Sequence, residues 1–301
     1  MARPTAARAS GVSLALDVLN YSLLTLLGIV TLGPFIYLVL GSLTTTEYYN
    51  LVGVSLNPSH WTLSAYQVLL DGSSRIYQAL RVTVFITVVG TALSLLATAG
   101  LAYGLSVKEV PGRNLLVFYV FFTMLFGGGM IPFYVVVRGL GMVNTLWSLM
   151  IPTLISAWYM FIMMKFFESL PADLQDAARI DGCSELSIFW RIVLPLSQPV
   201  LATIGLFYAV GRWNEWFWAT VFLSEPHLYP LQLVLRAILS NLLPVTDVQA
   251  GVEQAKLASQ MPPVEVLRMG AIVVTVLPIA LVYPFLQRYF VKGVMIGAIK
   301  G

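Results

Sequence analysis

The stretch "DLQDAARIDGCSELSIFWRIVLP", Asp173 to Pro195, gathers acids and bases between two segments greasy enough to stay in a bilayer. Charge is scarce elsewhere. Only 10% of the 301 residues are Asp, Glu, Lys or Arg and 58% are hydrophobic, with a mean hydropathy of +0.83. Soluble domains carry roughly 25% charged residues, so this composition assigns the chain to a membrane. A stretch this polar belongs at a membrane face, outside the hydrocarbon.

Working outward, six apolar stretches reach the ~20 residues that a hydrocarbon core of about 30 Å requires. They run from Val18 to Leu43, Leu80 to Tyr103, Leu115 to Val137, Leu146 to Phe167, Val200 to Leu223, and Met269 to Phe290. The fold expected is an all-α integral membrane protein of six transmembrane helices. A tail over 1–17 precedes a single transmembrane domain over 18–290, and a second tail covers 291–301. The run after Arg3 and Arg8 has no short apolar core followed by a small-residue cleavage site, so it reads as an uncleaved first span.

Six spans put both termini on one side. With the N-terminus inside, ten basic residues face the cytoplasm: Arg3, Arg8, Lys108, Arg113, Lys165, Arg179, Arg191, Arg288, Lys292 and Lys300. Six face outward: Arg75, Arg81, Arg138, Arg236, Lys256 and Arg268. This bias supports cytoplasmic termini and places the loop 168–199, between spans four and five, in the cytoplasm. The long segments Thr44–Ala79 and Ser224–Leu267 then lie outside. One of them carries "YPLQLVLRAIL", an apolar run suited to an interface or a docking surface.

The loop itself reads as helix, elbow, helix. Pro171 opens the first helix, since its missing N–H costs nothing in the first turn. Leu174, Ala177, Ala178 and Asp181 share one face, where two alanines permit close approach. Gly182 ends it with a left-handed turn. A second helical pattern over Ser184–Val193 places Leu186, Phe189, Trp190 and Val193 on an apolar face, and "LPLSQP" breaks it before span five. Residues alone allow an amphipathic connector that only packs beneath its own bundle.

The order of residues resembles the cytoplasmic loop of membrane subunits in binding-protein-dependent, ATP-driven importers: Glu-Ala-Ala, three residues to Gly, then Ile-x-Leu-Pro. Asp176, Ala177, Ala178, Asp181, Gly182, Ile192, Leu194 and Pro195 occupy those positions, with Asp176 one methylene shorter than the usual Glu. The six-span layout, "WNEWFWA" in span five and the terminal "RYFVKGVMIGAIKG" are similar to the carbohydrate-importing branch, specifically its second maltose-type permease. Within that branch the chain most resembles permeases for complex oligosaccharides, including the second membrane subunit of a bacterial alginate importer. The resemblance implies that the loop is a coupling helix seated in a groove of an ATP-hydrolysing subunit. It further implies a second permease, two ATPase subunits holding ATP and Mg, an extracytoplasmic solute-binding protein and a bacterial cytoplasmic membrane.

No cofactor is assigned to this chain. It has no G-x-x-x-x-G-K-[ST] phosphate loop, and "FGGGMIP" at Phe126 lacks the lysine such a loop needs. His60 and His227 stand alone without ligand-spaced companions, and no nucleophile–base constellation stands out. Cys183 is the single cysteine, so an internal disulfide is impossible. The net charge of +3 comes from scattered residues and leaves no nucleic-acid footprint.

Substrate contacts are expected in "GRWNEWFWAT", Gly211 to Thr220. Arg212 and Glu215, three residues apart, either pair on one helix face or serve a sugar path together with Trp213, Asn214 and Trp216. In the second case Arg212 could grip a sugar carboxylate in two-pronged fashion. The three glycines from Gly127 to Gly129 serve either close packing with a kink or a gate hinge. The alternative reading is a self-contained, ion-coupled sugar transporter, which would need paired midplane charges that the spans lack beyond Arg212 and Glu215. A membrane enzyme acting on polysaccharide is disfavoured by the missing catalytic grouping.

Overall fold

The computed structural model describes residues 11–240 and 262–298. Among them every regular element is helical, apart from an isolated antiparallel bridge between Thr44 and Trp61. In chain order the helices are α1 (Gly11–Leu43), α2 (Thr46–Leu51), α3 (Ser64–Leu69), α4 (Arg75–Ser106), α5 (Arg113–Leu125) and α6 (Met130–Gly139). They continue with α7 (Trp147–Met150), α8 (Ala157–Glu168), α9 (Ala172–Ile180), α10 (Glu185–Ile188), α11 (Leu194–Leu196), α12 (Gln198–Trp213), α13 (Phe217–Phe222), α14 (Leu231–Leu239) and α15 (Val264–Ala298). The tail with Arg3 and Arg8, residues 241–261 with Lys256, and Lys300 lie outside the described residues.

Three described stretches are long and apolar enough to cross a membrane unaided: Leu16–Leu43, Arg75–Ser106 and Val264–Val282. They correspond to the first, second and sixth expected spans. The other three expected spans are broken. Span three divides into α5 and α6 around Phe126–Gly129, span four into α7 and α8 around Ile151–Ser156, and span five into α12 and α13 around Asn214–Trp216. At ~1.5 Å of rise per residue, α5 covers only about 20 Å, short of a ~30 Å core. At each break the backbone needs partners from inside the protein, because hydrocarbon offers none.

The chain forms two compact units, Met1–Leu69 with Val252–Val273, and Leu70–Gly251 with Val274–Gly301. In the first, α1 runs into a small cap. Thr45 donates to the His60 carbonyl and the Ser42 hydroxyl meets Tyr66 Oη at 2.6 Å. His60 stacks on Tyr48 with ring centroids 4.3 Å apart.

The second unit is built around α4, which packs along α12 and α8. Ala79, Thr83, Gly90, Ser94, Thr98 and Ala102 are all buried on it, mostly at four-residue spacing. Small side chains on one stripe let neighbouring backbones come close, which is how helices associate where lipid supplies no hydrophobic drive. One core cluster joins Ala99, Ala102 and Tyr103 of α4 to Met160, Met163 and Phe167 of α8 and to Val200, Ile204 and Tyr208 of α12. A second joins Ile86 to Val137, Leu149, Met150 and Phe222. The run "YPLQLVLRAIL" forms α14, whose Leu231, Val234, Leu235 and Ile238 are buried.

The glycines of span three are not equivalent. Gly129 combines a positive φ with a nearly extended ψ, a region open almost only to glycine, and it opens α6. Gly127 has no positive φ, and a Cβ placed on it would meet no other atom within 4 Å. Gly129→Ala should therefore lower the thermal stability of the purified protein by about 1–3 kcal/mol, whereas Gly127→Ala should leave it nearly unchanged.

Candidate functional site

The Asp173–Pro195 stretch folds into two helices joined at a sharp elbow. Pro171 precedes α9, and the helix ends in a paired closure: Gly182 N–H donates to the Arg179 carbonyl at 3.0 Å and Cys183 N–H to the Ala178 carbonyl at 2.9 Å. This closure needs a left-handed residue, and Gly182 supplies it with its positive φ. Ser184 then caps α10, accepting from the Ser187 N–H at 3.3 Å. The second limb continues through a wide π-helical turn, Phe189–Val193, into α11 and bends by 84° into α12.

The two faces of the elbow do different things. Ala178, Ile188, Phe189 and Val193 are buried in the cluster under α4, α8 and α12, with Ile192 and Leu194 packed partly against it. Leu174, Asp176, Ala177, Asp181, Gly182 and Pro195 are exposed. Two expectations change here. Ala178 turns into the protein's own core instead of joining Ala177 outside. The apolar face expected over Leu186, Phe189, Trp190 and Val193 also splits, since Phe189 and Val193 go in while Leu186 (67% exposed) and Trp190 stay out. The widened turn shifts the register away from a 3.6-residue repeat. Ile180, which the pattern did not single out, is 86% exposed. Ile180, Leu174, Leu186 and Trp190 thus each leave an apolar side chain exposed on the elbow.

Arg179 closes the elbow. Its Nη1 donates to Asp176 Oδ1 and its Nε to Glu185 Oε1, both at 2.8 Å, while Tyr103 at the end of α4 donates to Glu185 Oε2 at 2.6 Å. One guanidinium thus ties the first limb to the second, and Glu185 ties both to a long helix. The Arg179 hydrogen bond, with the Tyr103 hydroxyl behind it, holds the Glu185 carboxyl below the ordinary carboxylate range. The same bond raises Arg179 above the usual guanidinium value.

At the far end of α12, Arg212 is 6% exposed. Its Nη2 donates to the carbonyls of Met150 and Thr153 and to Ser94 Oγ, each at 3.1 Å; its Nη1 donates to Thr153 Oγ1 at 3.0 Å and to the Leu149 carbonyl. These carbonyls are freed where span four breaks, and a cation at a helix C-terminus is favourable. Gly90 leaves the room: a Cβ there would meet Arg212 Nε at 3.1 Å. One turn earlier Tyr208 Oη accepts from the Ser156 N–H at 2.9 Å and meets Thr98 Oγ1 at 2.7 Å.

Arg212 and Glu215 are therefore directed to different partners. Glu215 Oε1 accepts from the Trp218 N–H at 2.9 Å, and no ion pair joins it to Arg212 among the described residues. Trp213 is buried, its Nε1–H donating to the Thr275 carbonyl at 3.1 Å. Only Asn214 and Trp216 of the five expected pathway residues present exposed side chains.

The family of binding-protein-dependent transport system inner membrane components matches residues 29–296. The chain belongs to that family. It is 42% identical over 287 residues to Protein LplC of Bacillus subtilis, covering 95% of each chain. It is 40% identical over 285 residues to the polygalacturonan/rhamnogalacturonan transport system permease protein YtcP of the same organism, covering 95% of this chain and 98% of YtcP. A crystal structure of a bacterial ABC transporter involved in import of the acidic polysaccharide alginate contains a chain matching with a TM-score of 0.84 and 33% identity, covering 95% of this chain and all of that one. This protein is thus an ABC importer permease, a membrane-embedded transport subunit and not an enzyme.

In this permease, Arg212→Met would strand the carbonyls of Leu149, Met150 and Thr153. We expect a stability loss of at least ~2 kcal/mol and an equal fall in transport of acidic and neutral sugars, measured by thermal unfolding and by uptake. The elbow carries its own pH signature. A depressed carboxylate contributes stability above its unfolded pKa and loses it as pH falls through the folded value. The stability advantage of the wild type over Glu185→Gln, followed by thermal melting, should hold at neutral pH and vanish below the ordinary carboxylate range.

Proposed function

We propose that the chain is one of two permeases in an ATP-driven importer that carries anionic oligosaccharides across the bacterial cytoplasmic membrane. Two ATPase subunits, which bind ATP and Mg, work it from inside, and an extracytoplasmic solute-binding protein delivers sugar from outside. The chain crosses six times, with spans three, four and five each made of two short helices, and both termini lie in the cytoplasm. The elbow 172–197 is the coupling element.

The observation that carries this reading is the two-faced elbow. Its inner face is keyed into the cluster shared by α4, α8 and α12, so a push on the elbow is a push on those helices. Its outer face offers Leu174, Asp176, Ala177, Ile180 and Asp181 to a partner. A short helix with a small-residue side, braced by Arg179, transmits displacement with little compliance. The substrate class rests on YtcP and on the alginate importer, which are named for acidic polysaccharides.

Gly182→Val tests the coupling. A β-branched residue is strained at the positive φ of this position. Yet no atom lies within 4 Å of a Cβ built there, so the core beneath is undisturbed. In the complete reconstituted complex, sugar imported per ATP hydrolysed should fall several-fold while the complex still assembles. Wild-type transport per ATP would reject the coupling role. Ala178→Trp should instead cost stability, because Ala178 is buried.

A further inference from the structure

Burial of Arg212 leaves the pathway residues Asn214 and Trp216 without the cation expected beside them. A different one stands there. α14 is amphipathic, with Leu231, Val234, Leu235 and Ile238 turned inward, and its first N–H, that of Leu231, donates to Thr83 Oγ1 of α4 at 2.7 Å. On its other side Gln232 and Arg236 lie one turn apart. Gln232 Nε2 donates to Asn214 Oδ1 at 3.1 Å, and the Arg236 guanidinium carbon sits 3.7 Å from the centroid of the Trp216 ring. Arg236 is exposed, and among the described residues no hydrogen bond or ion pair engages its guanidinium.

The arrangement has the properties of a carboxylate reader. Stacking on an aromatic face fixes the plane of a guanidinium and leaves its N–H edge pointing outward. That edge matches a carboxylate in a two-pronged geometry. Glu215, which lies between Asn214 and Trp216 in sequence, is committed to the Trp218 N–H. Asn214 and Gln232, about one helical turn (~5.4 Å) along, place amide groups where the hydroxyls of the same sugar would fall. Both sides of the site are anchored, Trp216 by Thr220, whose N–H and hydroxyl donate to its carbonyl at 3.0 and 2.8 Å, and α14 by Thr83.

We propose that Arg236, seated over the Trp216 ring and flanked by Asn214 and Gln232, is a specificity determinant that binds the carboxylate of an acidic saccharide as it passes this permease. The site rests on the reading of the chain as a permease for anionic oligosaccharides, and it makes Arg236, not Arg212, the residue that distinguishes acidic from neutral sugar.

The test uses the complete complex with its binding protein in phosphatidylcholine vesicles, comparing ATP-driven uptake of an oligogalacturonate with that of its carboxyl-reduced counterpart at saturating binding protein. Arg236→Gln should lower the acidic-to-reduced uptake ratio about tenfold, the factor that ~1.4 kcal/mol represents. Arg236→Lys should lie between, because it keeps charge without the planar fork. Trp216→Leu, which keeps the charge but unseats it, should lower the same ratio and decides the matter if Arg236→Gln does not assemble. Equal losses for both sugars would make the pair structural and overturn the proposal. A loss appearing only in vesicles with anionic lipid would assign the guanidinium to headgroups and also overturn it. A wild-type complex that imports neither sugar would instead reject the anionic-oligosaccharide reading on which the site stands.

Discussion

Hydrocarbon cannot hydrogen-bond a carbonyl, and this permease breaks its backbone between α7 and α8 inside the core of its larger unit. Helix termini left open there each cost several kcal/mol. Arg212 meets the demand from a neighbouring helix, using one side chain to answer Leu149, Met150 and Thr153. The charge is tolerable because it caps a helix end, and the helix end is tolerable because of the charge. Gly90 and Ser94 of α4 complete the seat, so three helices are held by one guanidinium.

That clamp and the elbow are the two ends of one rod. At ~1.5 Å of rise per residue, α12 is about 24 Å long. Ser197 bends it into the elbow limb at one end, and Arg212 holds the broken span at the other. Between them Tyr208 fixes Ser156 and Thr98, so the rod is pinned to α4 and to the break along its length. A packed, contiguous route therefore joins the buried face of the elbow to the breaks between α7 and α8 and between α12 and α13, the places where backbone rearrangement requires the fewest helical hydrogen bonds to be lost.

Much of this was legible before any coordinates. Pro171 and Gly182 bracket α9 as their backbone preferences demand, and the positions of the first, second and sixth spans follow from apolar length alone. What escaped is instructive. Span four contains Pro152, a break signal that a count of apolar residues hides, while the break at Asn214–Trp216 carries neither Pro nor Gly. The carbonyl partners of Arg212 belong to a different span, far back in sequence, whereas helical reasoning reaches only to Glu215. Arg179 and Glu185 have a spacing that pairs on no straight helix, and they meet only because Gly182 folds the chain back. The outward turn of Leu186 and Trp190 depends on the π-helical turn, which a 3.6-residue repeat does not represent.

The only cysteine of the chain, Cys183, stands exposed on the residue after Gly182. Its thiol sits at the joint of the elbow, and the sequence holds no other. A thiol-specific dye or spin label would attach there and nowhere else on this polypeptide, so the environment of the elbow can be followed spectroscopically without introducing a cysteine.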